Sequence, residues 1–556
     1  MRVLGFSVGH DKGAVVIENG KVVVGITQER LSRIKHDGAY QGGKIPVESI
    51  NYCLNSLGIT YKEIDLFVYS TTEEIDDVET QFQNLFPRLN KSILKFLPHH
   101  LAHAYSVFFS SGLEEAAVIV ADASGSIITF KNKTHLWYDP KEYNLDTDFD
   151  WAEGISIYHF NRNEYKEVYK KWIKYPIPVD TNEDVSLGKM YSTGSLQLVY
   201  SPVSFTWPAG KLMGLASYAD PEVVSEAPEF VIELEDDIFV SNNTIYPKVT
   251  WEFDFFSKSG VAGIYQREQE KASLILTKMA KKLTESQNVC VAGGSFLNCN
   301  SNEKIIKSEL FDECFFLPPS DDSGIPLGCA WYAHQQLVDI EKTDIISPYF
   351  GKKYKRSEII ETLNEFPDYG YVEYDDYDKL NDDVTNWLKL NRVIGWFQDG
   401  SEIGPRALGN RSIIASPIQK WMCNYINMDI KKREWYRPFA PAVLFEHQSE
   451  VFESDVYSPY MLVTTTVKPE WREKIPAVTH IDNSARHQSV TSESNSKFYN
   501  LITKFYEKTN VPVLLNTSFN GPKEPIVETP TDAIKCFIET NLDFLVINNF
   551  LISKRW

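Results

Sequence analysis

The chain has 556 residues, more than one hydrophobic core usually serves, so we expect two or more domains. With 43% hydrophobic and 24% charged residues, its composition is that of a globular protein and excludes a disordered chain. The formal net charge of -20 disfavours a nucleic-acid polymer as ligand, because such binding needs a surplus of Lys and Arg on the contacting surface. A local basic pocket for a small phosphorylated ligand remains compatible with this charge.

Cysteine usage and hydropathy favour a cytoplasmic protein. The seven cysteines are scattered and form no CxxC pair, which argues against a disulfide framework or a zinc ribbon. No stretch approaches the roughly 18 apolar residues of a membrane span, and the first residues show no basic-then-apolar signal. We therefore expect a cytoplasmic enzyme without a membrane partner.

Short apolar runs predict the strands of a mixed α/β fold. The predicted strands lie at residues 3–8, 14–17, 22–27, 116–121 and 288–292. Asn19-Gly20 is typical of a tight hairpin turn between the second and third of them. The last two strands end in Asp, Gly or Ser, and ligand-binding loops commonly follow strands that end in this way.

Two stretches interrupt this pattern. Between about residues 146 and 259 it is less regular, and we interpret this part as an insertion or as the helical part of a second lobe. The polar stretch 339–356 contains Pro348 and precedes a new helix signal, so it is the best candidate linker between domains.

A histidine pair and two aspartate loops form a candidate metal site. His99 and His103 stand four residues apart, so on a helix their imidazoles share one face. Asp122 follows the strand at 116–121, and the loop 318–324 offers a further carboxylate. Two His and two Asp suit a divalent ion with open positions for phosphate oxygens. Judged singly, the histidines could equally be helix-surface residues, and each Asp is more simply a turn residue.

Two other groups of residues suit phosphates. Gly293 and Gly294 follow a strand, where bare backbone N–H groups can approach a phosphate, although a plain tight turn is the simpler interpretation. The C-terminal part sets its basic residues among Gly, Pro and aromatic residues. Those basic residues are Arg406, Lys431, Lys432, Arg433, Arg437 and Arg486. Guanidinium groups in rigid loops suit bidentate capture of phosphate, whereas any one of them alone could form a surface ion pair.

Recognisable sequence blocks lie at residues 10–11, 29–37, 99–104, 186–191, 210–216, 292–298, 404–410, 437–441, 475–480 and 514–520. In this order, across nearly the whole chain, they resemble the O-carbamoyltransferase family, which includes the nodulation-factor, cephem and tobramycin-type enzymes. The resemblance implies an α/β protein with two domains. Residues 1–345 would form an actin/hexokinase/Hsp70-like ATPase-superfold domain with the metal site, and residues 350–556 a YrdC-like domain. The second would make carbamoyl adenylate from carbamoyl phosphate and ATP, and the first would transfer the carbamoyl group to an acceptor hydroxyl.

The resemblance also implies roles for single residues in the first domain. The metal ligands would be His99, His103, Asp122 and Asp322, with Asp321 a rival for the last place. Iron(II) is the expected ion, and magnesium could accompany ATP. His10 would act as a base toward the acceptor hydroxyl and Lys35 would stabilise negative charge, with His36 a weaker candidate.

The resemblance also assigns two sets of ligand contacts, one for carbamoyl phosphate in the second domain and one for the nucleotide in both domains. The carbamoyl-phosphate contacts would be Arg406, Lys431, Arg437 and Arg486. The nucleotide contacts would be Gly293, Gly294 and Asn298 in the first domain, with Asn516, Ser518 and Asn520 in the second. The chain departs from the family pattern at Ala209, where relatives often have an acidic residue, and at Ala123, where they tend to have Gly.

The acceptor and other functions stay open at this point. We expect a small alcohol such as a sugar or an antibiotic core, and second a hydroxymethyl-pyrimidine of a nucleotide or of DNA. An oligomer is compatible with the sequence. A sugar kinase on the same superfold would leave the histidine pair and the basic C-terminal residues without a role. An ATP-gated scaffold would need neither the metal ligands nor Arg406, Arg437 and Arg486 together.

Overall fold

Residues 1–37, 44–72, 75–87, 89–130, 137–176, 183–198, 209–241 and 254–554 are described in the computed structural model. The chain divides into two compact units. The first contains residues 1–29 and 36–346, and the second contains residues 30–35 and 347–556.

The strands of the first unit include every strand predicted from the sequence. They are β1 (Arg2–Val8), β2 (Gly13–Glu18), β3 (Lys21–Thr27), β4 (Leu66–Thr71), β5 (Leu94–Phe96), β6 (Glu115–Ala121), β7 (Ile127–Ile128), β8 (Asp150–Asn161), β9 (Tyr165–Tyr175), β10 (Val231–Glu233), β11 (Ile238–Val240), β12 (Asn288–Ala292) and β13 (Glu313–Phe316). Asn19 and Gly20 both have positive φ, as the tight turn between β2 and β3 requires.

Two main sheets organise these strands. The first has the order β3-β2-β1-β4-β5, in which β2 pairs antiparallel with both neighbours while β1, β4 and β5 are parallel. The second has the order β13-β12-β6-β8-β7, and β9 pairs with the free edge of β8. β6 and β12 are parallel neighbours, so the residues that follow them meet at the same edge of the sheet.

Residues 146–259, interpreted above as an insertion or as the helical part of a second lobe, contain both α-helices and a long hairpin of β8 and β9 that the sequence did not predict. Its strands lie at Asp150–Asn161 and Tyr165–Tyr175 and are antiparallel. The lysines of β9 obscured the alternation of buried and exposed residues that marks a strand. Of the rest of this stretch, residues 177–182, 199–208 and 242–253 lie outside the described residues.

The helices that accompany these sheets are α1 (Gln28–Ser32), α2 (Val47–Leu57), α3 (Ile75–Leu85), α4 (His99–Ser111), α5 (Leu187–Leu198), α6 (Ala209–Ala216), α7 (Pro221–Glu226), α8 (Phe255–Thr284), α9 (Cys299–Lys307) and α10 (Ile325–Gln335). Every residue of α4 is buried. The close approach of α10 to α4 depends on Gly328, because a Cβ there would lie 1.8 Å from the carbonyl oxygen of Ala102.

The second unit is built on one large sheet. Its strands are β14 (Gly370–Glu373), β15 (Ile394–Phe397), β16 (Arg411–Ala415), β17 (Ala440–Leu444), β18 (Thr464–Thr466), β19 (Ser484–Arg486), β20 (Gln488–Val490), β21 (Val513–Ser518), β22 (Phe544–Ile547) and β23 (Phe550–Ser553). The order is β14-β23-β22-β15-β16-β21-β17-β20, with β18 and β19 as a separate pair.

Its helices are α11 (Arg356–Asn364), α12 (Tyr377–Lys389), α13 (Trp421–Tyr425), α14 (Phe445–Val451), α15 (Pro469–Arg472), α16 (Ser496–Thr509) and α17 (Pro530–Glu539). Helices and sheet enclose a core that includes the fully buried Trp396. Together the two units confirm the predicted mixed α/β fold class. Across the ranges described above, no helix is long and apolar enough to cross a membrane.

A short N-terminal segment belongs to the second unit. Arg30 is buried and donates a hydrogen bond to the carbonyl oxygen of Gly404 at 2.8 Å. Arg33 donates to the carbonyl oxygens of Ile526 and Pro525 at 2.7 and 2.9 Å. The side chains of residues 30–35 thus complete the second unit, although they precede most of the first unit in the chain.

Candidate active sites

The histidine pair lies at the start of α4. Pro98 occupies the N-cap position with extended backbone, and the helix proper begins at His99. Because His99 and His103 are one helical turn apart, their rings lie next to each other in an edge-to-face arrangement, with centroids 4.8 Å apart. Both imidazoles are almost completely buried, so they cannot be helix-surface residues.

Two aspartates complete this cluster. Asp122 directly follows β6, and Asp322 begins a short 3-10 helix that leads into α10. His99 Nε2 lies 3.6 Å from Asp122 Oδ2 and 3.4 Å from Asp322 Oδ1. His103 Nε2 lies 3.2 and 3.5 Å from the same two oxygens.

These distances suit a shared metal ion. Ligands about 2.1 Å from a tetrahedrally bound ion lie about 3.4 Å from one another. One ligand atom from each of the four residues lies within 4.8 Å of all the others. His99 Nε2 is also buried without a hydrogen-bond partner among the described residues. The donor set and the spacing therefore fit a divalent ion.

The electrostatics of the cluster favour a cation at its centre. Burial alone lowers the pKa of His99, but Asp322 and Asp122 outweigh it and raise that pKa to about 10. Burial and Asp322 both raise the pKa of Asp122, yet the imidazoles of His103 and His99 outweigh them and bring it to about 2. Two buried carboxylates thus need positive charge beside them, which protonated imidazoles or a metal ion can supply.

Asp322, and not its neighbour Asp321, contributes to this cluster. Asp321 is the N-cap of the short helix, and its Oδ1 accepts hydrogen bonds from the backbone N–H and the hydroxyl of Ser323. Burial and the charge of Asp11 raise the pKa of Asp321 to about 7. The two neighbouring carboxylates therefore have different environments.

His10 lies beside the cluster. Its Nε2 is 3.4 Å from Asp322 Oδ2, and 48% of its side chain is exposed. The Asp322 carboxylate raises the pKa of His10. An exposed imidazole next to a buried charged cluster can receive a proton from a ligand that arrives from solvent.

A second group of polar residues follows β1 and β3. His36 Nδ1 lies 2.7 Å from Asp11 Oδ1, and the His36 backbone N–H donates to Glu29 at 3.0 Å. Asp11 and His36 both have positive φ, which is uncommon for residues other than Gly. The His36 side chain is thus held by Asp11 in the first unit.

The glycine turn after β12 comes close to Asp122. Gly293 has a φ of 97°, and a Cβ there would lie 2.2 Å from the carbonyl oxygen of Ala121. A Cβ at Gly294 would lie 3.2 Å from Asp122 Oδ1. Asn298 caps α9 and exchanges hydrogen bonds with Gln266 at 2.9 and 3.0 Å. Its amide thus has a structural partner in addition to any ligand.

In the second unit Lys431 joins two of the predicted nucleotide contacts. Its ammonium donates to Ser518 Oγ at 3.1 Å and to Asn520 Oδ1 at 2.8 Å. Burial, with the charges of Arg433, Arg437 and Lys35, lowers the pKa of Lys431 well below its usual range. A buried ammonium close to other cations favours an anionic ligand, which would restore its charge.

Arg433 is a further member of this cationic group, which the sequence analysis names among the basic residues but not among the carbamoyl-phosphate contacts. Its Nε donates to Asn427 Oδ1 at 2.7 Å, and its guanidinium lies over the ring of Phe439. Burial, Arg437 and Arg486 lower the pKa of Arg433. The signal for it was the basic run at residues 431–433 in a block rich in aromatic residues.

Lys35 belongs to the second unit, whereas His10 belongs to the first. The charge of Lys35 contributes to the lowered pKa of Lys431, so the ammonium lies near the cationic group. The sequence analysis placed Lys35 in the first domain, with residues 1–345, whereas the structure groups it with the second unit.

Arg406 lies in a loop fixed by a buried carboxylate. One oxygen of Glu402 accepts hydrogen bonds from the backbone N–H groups of Leu408, Asn410 and Arg411, at 2.7, 2.7 and 3.1 Å. Asn516, on β21, donates to the carbonyl oxygen of Ala407 at 3.2 Å. The loop that carries Arg406 is therefore attached to β21, the strand that ends at Ser518.

Comparison with known proteins gives matches along most of the chain. The family model described as "Carbamoyltransferase N-terminus" matches residues 2–88 and 85–331, and that described as "Carbamoyltransferase C-terminus" matches residues 385–554. The chain is similar to nodulation protein NolNO of Sinorhizobium fredii, at 30% identity over 98% of this chain and 79% of that protein. It is also 30% identical to 3'-hydroxymethylcephem-O-carbamoyltransferase of Streptomyces clavuligerus, over 59% of this chain and 61% of that enzyme.

Solved structures show more distant similarity. Full-length HypF in its phosphate- and nucleotide-bound form matches with a TM-score of 0.38 and 14% identity, over 62% of this chain and 56% of that chain. HypF from T. kodakarensis matches with a TM-score of 0.40 and 13% identity, over 60% of this chain and 48% of that chain.

Proposed function

Because the chain belongs to the carbamoyltransferase family, we propose that it is an ATP-dependent O-carbamoyltransferase that works through carbamoyl adenylate. Membership of the family confirms the resemblance predicted from the sequence, and the protein is therefore a transferase. The intermediate, the division of labour between the units, the metal and the acceptor are the proposal.

The second unit would catalyse the first step. Carbamoyl phosphate, ATP and water would give carbamoyl adenylate, phosphate and pyrophosphate. Bringing two phosphorylated substrates together requires fixed positive charge to offset their repulsion. Lys431, Arg437 and Arg486 would bind carbamoyl phosphate together with Arg406, and Arg433 would add a further guanidinium. Lys35 would contribute charge beside Lys431.

The nucleotide would be bound by backbone and amide groups in both units. Asn516, Ser518 and Asn520 would contact it during adenylation. Gly294, which lies close to Asp122, and the neighbouring Gly293 would accept the adenylate phosphate during transfer, when Asn298 would assist. The support is the lack of a side chain at Gly294 beside Asp122, which lets a phosphate approach the backbone there, whereas the N–H of Gly293 already donates to the carbonyl oxygen of Ser320 at 2.8 Å.

The first unit would catalyse the transfer. The acceptor hydroxyl oxygen would form a bond to the carbamoyl carbon, the bond from that carbon to the AMP oxygen would break, and AMP would leave. In its neutral form His10 would accept the hydroxyl proton, since it is the exposed imidazole beside the cluster.

His99, His103, Asp122 and Asp322 would hold the metal ion. When bound, the ion would supply a Lewis acid that stabilises negative charge near the transferred group. Two imidazoles and two carboxylates suit iron(II), the ion expected from the family, and magnesium would accompany ATP.

The acceptor would be a small alcohol. The Streptomyces clavuligerus relative is named for a hydroxymethyl acceptor, which supports a hydroxyl as the group modified. A sugar or an antibiotic core ranks first. A hydroxymethyl-pyrimidine ranks second, because the net charge of -20 disfavours duplex DNA but not a free nucleotide.

The observation that carries the proposal is the presence of two chemically different clusters in two different units. One contains two buried imidazoles and two carboxylates, and the other contains the buried Lys431 close to the guanidinium groups of Arg433 and Arg437. A single phosphoryl-transfer site, as in a sugar kinase, would use only one of them.

The test separates the two steps. Arg437→Ala is expected to abolish pyrophosphate release that depends on carbamoyl phosphate. His103→Ala is expected to keep that release but to form no carbamoylated acceptor, measured by mass spectrometry over a panel of alcohols. The exposed Arg392 and the half-exposed His159 provide matched control substitutions to Ala in the same units. Equal loss of both steps in both site variants would contradict the proposal.

A further inference from the structure

The start of α4, which carries the two histidines, is held by groups outside the metal cluster. The backbone N–H of His99 donates to Ser126 Oγ at 2.9 Å. The next N–H, of His100, donates to Glu153 Oε2 at 3.1 Å. The N–H of Ser126 also donates to Glu153 Oε2, at 2.8 Å. One carboxylate oxygen thus joins the first turn of α4 to the segment that precedes β7.

The other oxygen of Glu153 is bound by a buried cation. Lys170 Nζ lies 2.6 Å from Glu153 Oε1, and the two side chains are 1% and 0% exposed. Tyr138 donates its hydroxyl to the same oxygen at 2.7 Å. Lys170 also lies over the Tyr138 ring and 3.1 Å from Glu167. Burial alone raises the pKa of Glu153, but Lys170 outweighs it and holds that pKa well below its usual range.

Stability alone does not explain this ion pair. Removing two charges from water costs about as much as their attraction returns, so packed apolar residues would serve a core equally well. A charged carboxylate, however, can bind several backbone N–H groups at once, which an apolar side chain cannot.

The carboxylate also has no room to move. A Cβ at Gly125 would lie 2.6 Å from Glu153 Oε2 and 2.7 Å from His100 Cδ2. His100 itself is fixed through Nδ1, which lies 2.8 Å from Ser156 Oγ. Burial lowers the pKa of His100 to about 3, so this imidazole is neutral and packs beside the carboxylate without adding charge.

We propose that the Glu153–Lys170 pair positions His99 and His103 for metal binding by fixing the first turn of α4. This inference rests on the proposed function, because it assumes that the histidines are metal ligands. Helix ends loosen when their first N–H groups lack partners. His99 is the first residue of the helix, so a loosened end would move its Nε2 away from Asp122 and Asp322.

The test uses Co²⁺ as the probe and compares two neighbouring lysines of β9. Lys170→Met removes the cation that holds Glu153. Lys171→Met is the matched control, because Lys171 is also buried but binds Asp184 at 2.5 Å and Asp237 at 3.5 Å, away from Glu153. Losing a direct outer-shell partner of a metal ligand lowers affinity about 10- to 100-fold, and because Lys170 acts on the ligands only through Glu153, we expect the Co²⁺ affinity of Lys170→Met to fall about tenfold. Lys171→Met should bind Co²⁺ as the wild type does.

Two further measurements separate positioning from unfolding. Pyrophosphate release by the second unit should persist in Lys170→Met, and the visible absorption spectrum of bound Co²⁺ should change because its ligand geometry changes. If Lys170→Met does not fold, Tyr138→Phe takes its place, with an expected loss in Co²⁺ affinity of about threefold to tenfold from one missing hydrogen bond.

The outcomes distinguish this inference from the function on which it rests. The positioning role would be overturned if Lys170→Met or Tyr138→Phe bound Co²⁺ with wild-type affinity while His103→Ala lost it. The metal site would stand in that case. Equal losses in Lys170→Met and Lys171→Met would also overturn the positioning role. Wild-type affinity in His103→Ala would overturn the metal site, and the positioning role with it.

Discussion

Gly328→Ala should separate α4, which carries the two histidines of the metal cluster, from α10, which follows Asp322 in the chain. A Cβ at this position of α10 would lie 1.8 Å from the carbonyl oxygen of Ala102, whereas real Cβ contacts essentially never fall below 3.0 Å. The helices must therefore part by at least the difference, 1.2 Å. Ala102 directly precedes His103, and α10 directly follows the short helix that begins at Asp322, so the shift acts on two ligands of the cluster.

We expect this shift to lower the free energy of unfolding by about 1–3 kcal/mol, the usual cost of overpacking a core. Co²⁺ affinity should fall by about tenfold or more, because the shift is large compared with the tolerance of metal–ligand distances. Urea unfolding and Co²⁺ titration measure the two effects.

Gly210→Ala is the matched control for this prediction, because a Cβ at that exposed position of α6 meets nothing within 4 Å. It should leave Co²⁺ affinity unchanged and leave stability unchanged or raised by up to about 1 kcal/mol. The reasoning is refuted if Gly328→Ala and Gly210→Ala behave alike in both measurements.

Three other perturbations have defined outcomes. An ordinary lysine has a pKa of about 10.4, whereas the pKa of Lys431 is lowered. Lys431 therefore loses its positive charge at pH values where an ordinary lysine keeps it. The KM for carbamoyl phosphate should rise with pH in that range. A KM independent of pH up to 10, or the same slope in Lys431→Met, would contradict this. Glu402→Gln should weaken carbamoyl-phosphate binding by about 1.5–3 kcal/mol, because it replaces the charged acceptor of three backbone N–H groups in the loop that carries Arg406. An unchanged KM would show that this loop needs no carboxylate. Dialysis against a chelator, followed by addition of Mg²⁺, should leave pyrophosphate release intact. It should abolish carbamoyl transfer to the acceptor until iron(II) is restored. Carbamoyl transfer that survives the dialysis would exclude a role for the metal.

Local patterns were enough to predict the parts of the site that depend on neighbouring residues. The four-residue spacing of His99 and His103 and the position of Asp122 at the end of a strand are visible in the sequence. The choice of Asp322 over Asp321 came from the family resemblance, and its physical reason, the capping of the turn at Ser323 by Asp321, is visible only in the structure.

The support of the site could not be predicted from local sequence. Glu153 and Lys170 come from two strands of a hairpin, and β9 has so many lysines that it resembles a solvent-exposed strand. Lys170 is buried because Tyr138, from a separate segment, covers it. Long-range contacts of this kind have no signature at fixed sequence spacing.

The segment Arg30–Lys35 has a consequence for dissecting the protein. The backbone passes between the units at residues 29–30, 35–36 and 346–347, so a cut after residue 346 does not yield two complete halves. A fragment of residues 347–556 would leave the Gly404 and Ile526 carbonyls without the arginines that bind them. Complementation by a peptide spanning residues 30–35, or a circularly permuted gene that joins it to the C-terminal half, would be needed to obtain that half in its native form.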